Sequence, residues 1–119
     1  MTKKLTSGTK NDHGKVRMEL LAGDALRGTA QVLSFGASKY LPRNWERGIA
    51  FSRVFGALMR HSWDWWQGED LDPESGLSHI HHASCCLMFL QAYVERRQGH
   101  LDDRPRLFAR RSKKRSIRH

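Results

Sequence analysis

Between Arg60 and His82 the chain reads Arg60-His61-Ser62-Trp63-Asp64-Trp65-Trp66-Gln67-Gly68-Glu69-Asp70-Leu71-Asp72-Pro73-Glu74-Ser75-Gly76-Leu77-Ser78-His79-Ile80-His81-His82. Four of the seven histidines and five of the twelve acidic residues fall in these 23 positions. Groups that can hold a divalent cation or move a proton are therefore concentrated in one short span. His79 and His82 are three residues apart, which on a helix puts both imidazoles on one face. His61 supplies a third ligand if the preceding helix packs antiparallel to that one, as the short linking loop favours. The same loop brings Glu69, Asp72 and Glu74 to that end of the helix pair. Mixed imidazole and carboxylate ligation leaves positions open for water or phosphate oxygens. The expectation is a metal held by His61, His79 and His82 with a loop carboxylate, and Glu69, Asp72 or Glu74 orienting or deprotonating an attacking water. The plainer alternative is a set of hydrogen-bonded core histidines. Three imidazoles are costly to bury without a purpose, which favours the site. His81 points elsewhere on the helix, outward by its position.

Basic residues flank this span. Lys39, Arg43, Arg47, Arg53 and Arg60 lie on the preceding loop and helix, and guanidinium forks match phosphate oxygens. Taken singly, each is more simply a solvated charge. Asn44-Trp45 could read a base by amide hydrogen bonds and stacking. Trp63, Trp65 and Trp66 are most simply core or interface residues; they spread around a helix, so at least one cannot face the core and is free to cover a partner subunit or stack on a base.

Three helices are needed to position these groups. Leu26, Ala30, Leu33, Ala37 and Tyr40 recur at three and four residues, giving a first helix with Asp24 as N-cap and Pro42 as its stop. Ser52 is the expected N-cap of the second helix, with Phe55, Leu58, Met59, Ser62, Trp65 and Trp66 as its buried side and Gly68 closing it. The third starts near Ser75 to Ser78 and runs to about Arg97. Its middle is apolar on most faces, so it should be the central helix. No segment alternates as a strand. Lys15 to Leu21 is expected as an extended lead-in, and Leu107 to Arg111 as a short fourth segment. The fold class is all-α, a small domain of three main helices with a thin core, completed by forming a homo-oligomer. Its expected divisions are a flexible arm at 1–14, the helical domain at 15–98 and a basic tail at 99–119.

The 119-residue chain carries a net charge of +9, very unevenly placed. The stretch from Arg96 to His119 holds ten basic residues against Asp102 and Asp103, and the first 95 residues are close to balance. Such a tail favours phosphate polyanions through counterion release, so non-specific nucleic-acid binding through residues 104–119 is one expectation and a solvated end is the other. Cys85 and Cys86 are adjacent in an apolar run, as expected for reduced core residues of a cytoplasmic protein. No apolar run is long enough to span a bilayer, so no membrane partner is expected.

Several short motifs occur in order: Gly14-Lys15-x-Arg17, Phe35-Gly36-Ala37-x-Lys39-Tyr40, Asn44-Trp45-x-x-Gly48, Arg60-His61, Gly68-Glu69-x-x-Asp72-x-Glu74-Ser75-Gly76-Leu77-Ser78-His79 and His82-Ala83. Together, over roughly residues 13 to 93, they resemble the N-terminal domain family of phage and bacterial dATP/dGTP diphosphohydrolases. The resemblance implies an all-α domain related to MazG-like pyrophosphohydrolases, which cleave a nucleoside triphosphate to monophosphate and pyrophosphate with a divalent metal. Those enzymes carry Glu-x-x-Glu and Glu-x-x-Asp pairs on helices. Here His79-x-x-His82 stands where carboxylates would be expected, which favours Mn²⁺ or Co²⁺ (or Zn²⁺) beside Mg²⁺. Cys86 and Val16 replace residues that are often Asn and Pro in the family. The expected function is metal-dependent hydrolysis of a purine deoxynucleoside triphosphate in the cytoplasm, the host's if the chain is phage-encoded. Lys39, Arg43 and Arg60 would neutralise the triphosphate, with Asn44 and Trp45 near the base. Two alternatives stand beside it: a nucleotide-binding protein that does not hydrolyse, and a nucleic-acid-binding accessory protein acting through the tail.

Overall fold

The structure, a computed structural model, describes residues 8–108. It has three α-helices: α1 (Gly23–Lys39), α2 (Phe51–Trp66) and α3 (His79–Glu95). Single 3₁₀ turns stand at Met18–Leu20, Asn44–Arg47 and Gly99–Leu101. Among the described residues the one trace of sheet is an isolated antiparallel bridge between Leu71 and Ser78. The chain is thus all-α, with three main helices as expected. Among the described residues no helix is long and apolar enough to cross a membrane.

Helix α3 is central and packs against both α1 and α2. Its sequence, apolar on most faces, requires this, because a helix without a polar side must find neighbours around much of its circumference. The α2–α3 pair is antiparallel: Phe51 at the start of α2 stacks with Tyr93 near the end of α3, and His61 near the end of α2 meets His79 at the start of α3. The core is built at the first of these ends. Phe51, Val54 and the fully buried Tyr93 form it, with Trp45, Ile49, Cys86, Phe89, Leu90 and Leu101 packed around them. Tyr93 donates its hydroxyl proton to the Trp45 carbonyl at 2.6 Å, which satisfies the polar end of a buried ring. Among the buried groups, Cys85 is free, and its thiol is pushed up to about 12, first by burial and then by its neighbour Cys86.

The α1–α3 crossing uses small and polar residues instead. A Cβ on Gly28 would stand 2.2 Å from the His81 ring, so α1 can approach α3 only because position 28 has no side chain. Beside it Thr29 and Ser84 share a hydroxyl hydrogen bond of 3.0 Å. His81 is therefore half-buried against α1 and not turned outward as its position suggested. The buried face of α1 is correspondingly Gly28, Thr29 and Val32, while Leu26 and Tyr40 of the anticipated face are more than half exposed.

Two helix starts differ from those read in the sequence. Helix α1 begins at Gly23 after Ala22, and Asp24 sits inside its first turn, accepting from the Ala25 N–H at 2.8 Å. Helix α2 begins at Phe51 after Ala50, and Ser52 is not its cap. Instead the Ser52 N–H and hydroxyl both donate to the Asp103 carboxylate, so a residue far along the chain closes the start of α2. Helix α3 does start beside Ser78, whose hydroxyl accepts from the Ile80 N–H. Lys15 to Leu21 contains a 3₁₀ turn instead of an extended segment. Leu101 lies against Gly48, where φ is +102° and an added Cβ would be 3.0 Å from the leucine. Leu107 and Phe108 form a turn. The rest of the expected fourth segment and most of the basic tail lie outside the described residues.

Candidate functional site

The second end of the α2–α3 pair carries the ligand-type side chains. The linking segment Glu69–Leu77 is folded back on itself: the Asp72 N–H donates to the Leu77 carbonyl and the Gly76 N–H to the Asp72 carbonyl. Gly76 takes φ +72°, a left-handed conformation that this reversal needs and glycine adopts at little cost. Asp72 turns its carboxylate inward, where it accepts from the Ser75 N–H at 2.9 Å. The His79 N–H donates to the Asp70 carbonyl, tying the first residue of α3 to the same loop.

His79 is 1% exposed and uses both ring nitrogens. Its Nε2 lies 2.7 Å from Glu69 Oε1 and its Nδ1 lies 2.8 Å from His61 Nδ1. The Glu69 carboxylate can only accept, so His79 carries its proton on Nε2 and presents a bare lone pair at Nδ1. The His61 ring stacks on His82 at 4.4 Å between centroids and 10° between planes. His82 Nε2 is 2.6 Å from Ser75 Oγ and 3.9 Å from Asp72 Oδ2.

Both His61 and His82 are held below the usual imidazole range. Burial is the largest cause for each, and the cationic forms of the neighbouring histidines oppose protonation further. The two rings are thus kept neutral at physiological pH, the form a cation requires. Burial works to raise the Asp72 carboxyl. The Ser75 N–H and hydroxyl and the nearby His82 and His61 rings outweigh it, leaving Asp72 below its ordinary value and ionised.

His61, Asp72 and His79 offer ligand atoms that all lie within 4.8 Å of one another, and Asp64, Glu69 and His79 form a second such group. The first group fits a divalent cation better. It joins two imidazoles to an ionised carboxylate. The two Nδ1 atoms face each other across a gap now bridged by one proton, and Glu69 supplies the outer carboxylate that fixes the tautomer of a ligating histidine. Of the expected ligands His61 and His79 are brought together directly. His82 is in contact with them through its ring, with its Nε2 engaged by Ser75. Asp72, one of the three loop carboxylates expected near the site, contributes an oxygen to the first group. Glu74 faces outward and pairs with Lys39 at 2.8 Å, which raises the lysine above its ordinary value.

The basic residues and the Asn44–Trp45 pair are mostly placed elsewhere. Trp45 is half-buried and stacks on Phe89 at 4.8 Å, with the Arg96 guanidinium 5.2 Å from its ring, so it is part of the core. Asn44 belongs to the same 3₁₀ turn. Arg43 pairs with Glu46 at 3.1 Å. Arg60 precedes His61 and is exposed, and Lys39 reaches the site loop through Glu74. Ser75 and Asp64 were not assigned to the site from the sequence. Asp64 follows His61 by three residues, a helical spacing that would have flagged it. Ser75 carried no such signal beyond its place in Glu74-Ser75-Gly76. Beside Ser75 a shallow groove of about 490 Å³ runs along α1, lined by Arg27, Gln31, Ser34, Phe35, Ser75 and Leu77.

The chain is an all-α domain whose histidine–carboxylate cluster sits where two antiparallel helices join. The family described as "dATP/dGTP diphosphohydrolase, N-terminal" matches residues 6–104. The chain belongs to that family. A dATP/dGTP diphosphohydrolase of Salmonella phage PMBT28 is 36% identical over 84 residues, covering 71% of this chain and 29% of the phage protein. The chain thus spans under a third of that relative's length by the matched region. No solved structure matches the chain.

Proposed function

We propose that this domain binds a divalent cation through His61, His79 and Asp72 and hydrolyses a purine deoxynucleoside triphosphate to the monophosphate and pyrophosphate. The convergence of His61, Asp72 and His79 donor atoms within 4.8 Å carries the reading, in a family whose phage relative is named for dATP and dGTP. When bound, a cation there would withdraw charge from phosphate oxygens and acidify a nearby water. Glu69 holds His79 in the tautomer that leaves Nδ1 bare. Ser75 stands between Asp72 and His82 and fixes both. His82, neutral and next to the ligands, is the group placed to take a proton from water. The groove that starts at Ser75 would accept the nucleoside, with Phe35 available for stacking, Gln31 for the base edge and Arg27 for a phosphate. Lys39, salt-bridged to Glu74 of the site loop, would add positive charge at its other side.

The test is one screen of the purified chain against each dNTP and NTP with Mg²⁺, Mn²⁺ or Co²⁺, products resolved as pyrophosphate or phosphate. Turnover of dATP or dGTP with release of pyrophosphate, lost in His79→Ala, is the expected result. A second reading is binding without hydrolysis. The small share of the phage relative that is matched favours it, since the remaining length can hold other catalytic parts. Metal-dependent nucleotide binding with no product under any condition would select that reading.

A further inference from the structure

Helix α2 was expected to bury Phe55, Met59, Trp65 and Trp66. The structure buries Phe51 and Val54 and turns the aromatic side out. Phe55 is 53% exposed, Met59 50%, Trp63 56% and Trp66 71%. At 3.6 residues per turn, these four follow the core-facing row of α2 by about a quarter turn in the direction of the chain. On α3 Leu87 and Val94 are 49% and 63% exposed, and they follow the row that faces α2 by a similar rotation in the same sense. For two helices facing each other antiparallel, equal rotations of the same sense lead to the same side. The two stripes are therefore one continuous apolar face of the α2–α3 hairpin. Helix α1 covers another flank of α3, at Gly28 and Thr29. His61 and His82 lie on the opposite side of the α2–α3 seam from the stripes.

We propose that this face is the interface of a two-fold homodimer, formed by Phe55, Met59, Trp63, Trp66, Leu87 and Val94 of each copy. The area is of the required size. Large aromatic side chains bring ~150–250 Å² each, so the exposed parts of these residues sum to about 700 Å² per protomer and roughly 1,400 Å² for two, inside the standard range for stable association. An exposed area that matches a stable two-fold contact points to a second copy as the occupant, and the helical part of the chain, whose first 95 residues are close to charge balance, does not oppose it. This face has no charged residue among its six, so two copies can meet there without like-charge cost. A patch of this extent, rich in tryptophan, is uncommon on a monomer. The proposal is independent of the chemistry at the histidine cluster, which the dimer leaves open.

Sedimentation or light scattering of the full chain tests it over a wide range of concentration. The expected species has twice the 13.8 kDa of one chain. Met59→Glu and Leu87→Glu should each return it to a single chain with unchanged far-UV circular dichroism, and Gln31→Glu on α1 should leave the dimer intact. A single chain at every concentration would overturn the proposal and assign the face to a different protein. So would a larger assembly, or a dimer that survives both glutamates. Should the glutamate variants lose helix, the wild type still decides: acrylamide quenching of tryptophan fluorescence should fall as the dimer forms, and quenching that does not change with association places the contact elsewhere.

Discussion

Replacing Glu69 by glutamine isolates the contribution of an outer carboxylate to the proposed cation site. The Glu69 side chain is 50% exposed, and its oxygen lies 2.7 Å from Nε2 of a histidine that is almost wholly buried. An amide oxygen can still accept from Nε2–H, so the geometry of His79 survives the change while the negative charge does not. Surface substitutions of this kind alter stability by about 0.5 kcal/mol or less. Loss of the outer carboxylate behind a ligating histidine lowers metal affinity roughly 10- to 100-fold, or about 1.4–2.8 kcal/mol. Isothermal titration of Mn²⁺ and Co²⁺ into the full chain should therefore show a Kd weaker by that factor in Glu69→Gln at an unchanged Tm. In His79→Ala, where a ligand is removed outright, binding should vanish. Equal affinity in Glu69→Gln and wild type would refute the assignment of Glu69 as the group behind His79. A wild-type chain that binds none of these cations would remove the metal site altogether.

Two further predictions concern the fold. Tyr93→Phe removes the hydroxyl that satisfies the Trp45 carbonyl in the core and should cost about 1–2 kcal/mol, roughly 5–15 °C in Tm by calorimetry. A Tm within a degree of wild type would mean that water replaces the bond. The pH dependence follows from His61 and His82. Unfolded, each imidazole takes up a proton near 6.5, and folded it does so only at lower pH. Between those values the unfolded chain binds more protons, so stability is fully present above about 6.5 and is lost as the pH falls through the window below. Urea midpoints measured with a chelator present should decline in that direction. A midpoint that rises on acidification would show that the cluster gains from being charged.

Much of the architecture was legible in periodicity alone. Three helices, their order, the central place of α3 and its start near Ser78 all follow from local spacing and residue type. The gathering of His61, Asp72 and His79 was legible for a related reason. The connection 67–78 between two helices favours an antiparallel pair, and that brings the end of one to the start of the next. Long-range partners were not legible. Asp103 closes α2 across 51 residues, and no local pattern announces a cap so far away. Trp45 reads as a base-stacking residue until Phe89 and Tyr93 are seen to enclose it.

Which face of α2 is buried was also beyond the sequence. Its apolar residues cover more than half of the circumference, so periodicity permits several burial directions. Side-chain fit against α3 selects the row of Phe51 and Val54 and leaves the tryptophans outside. The residue types and spacing of Arg60 to His82 determined that a histidine–carboxylate cluster would form at one end of a helix pair. Tertiary packing alone decided the roles inside it: Asp72 turned in beside His61, Glu69 set behind His79, and Glu74 sent out to Lys39. Those choices depend on which way a folded loop turns each side chain, and that is fixed by the contacts of the whole domain and not by neighbours in the chain.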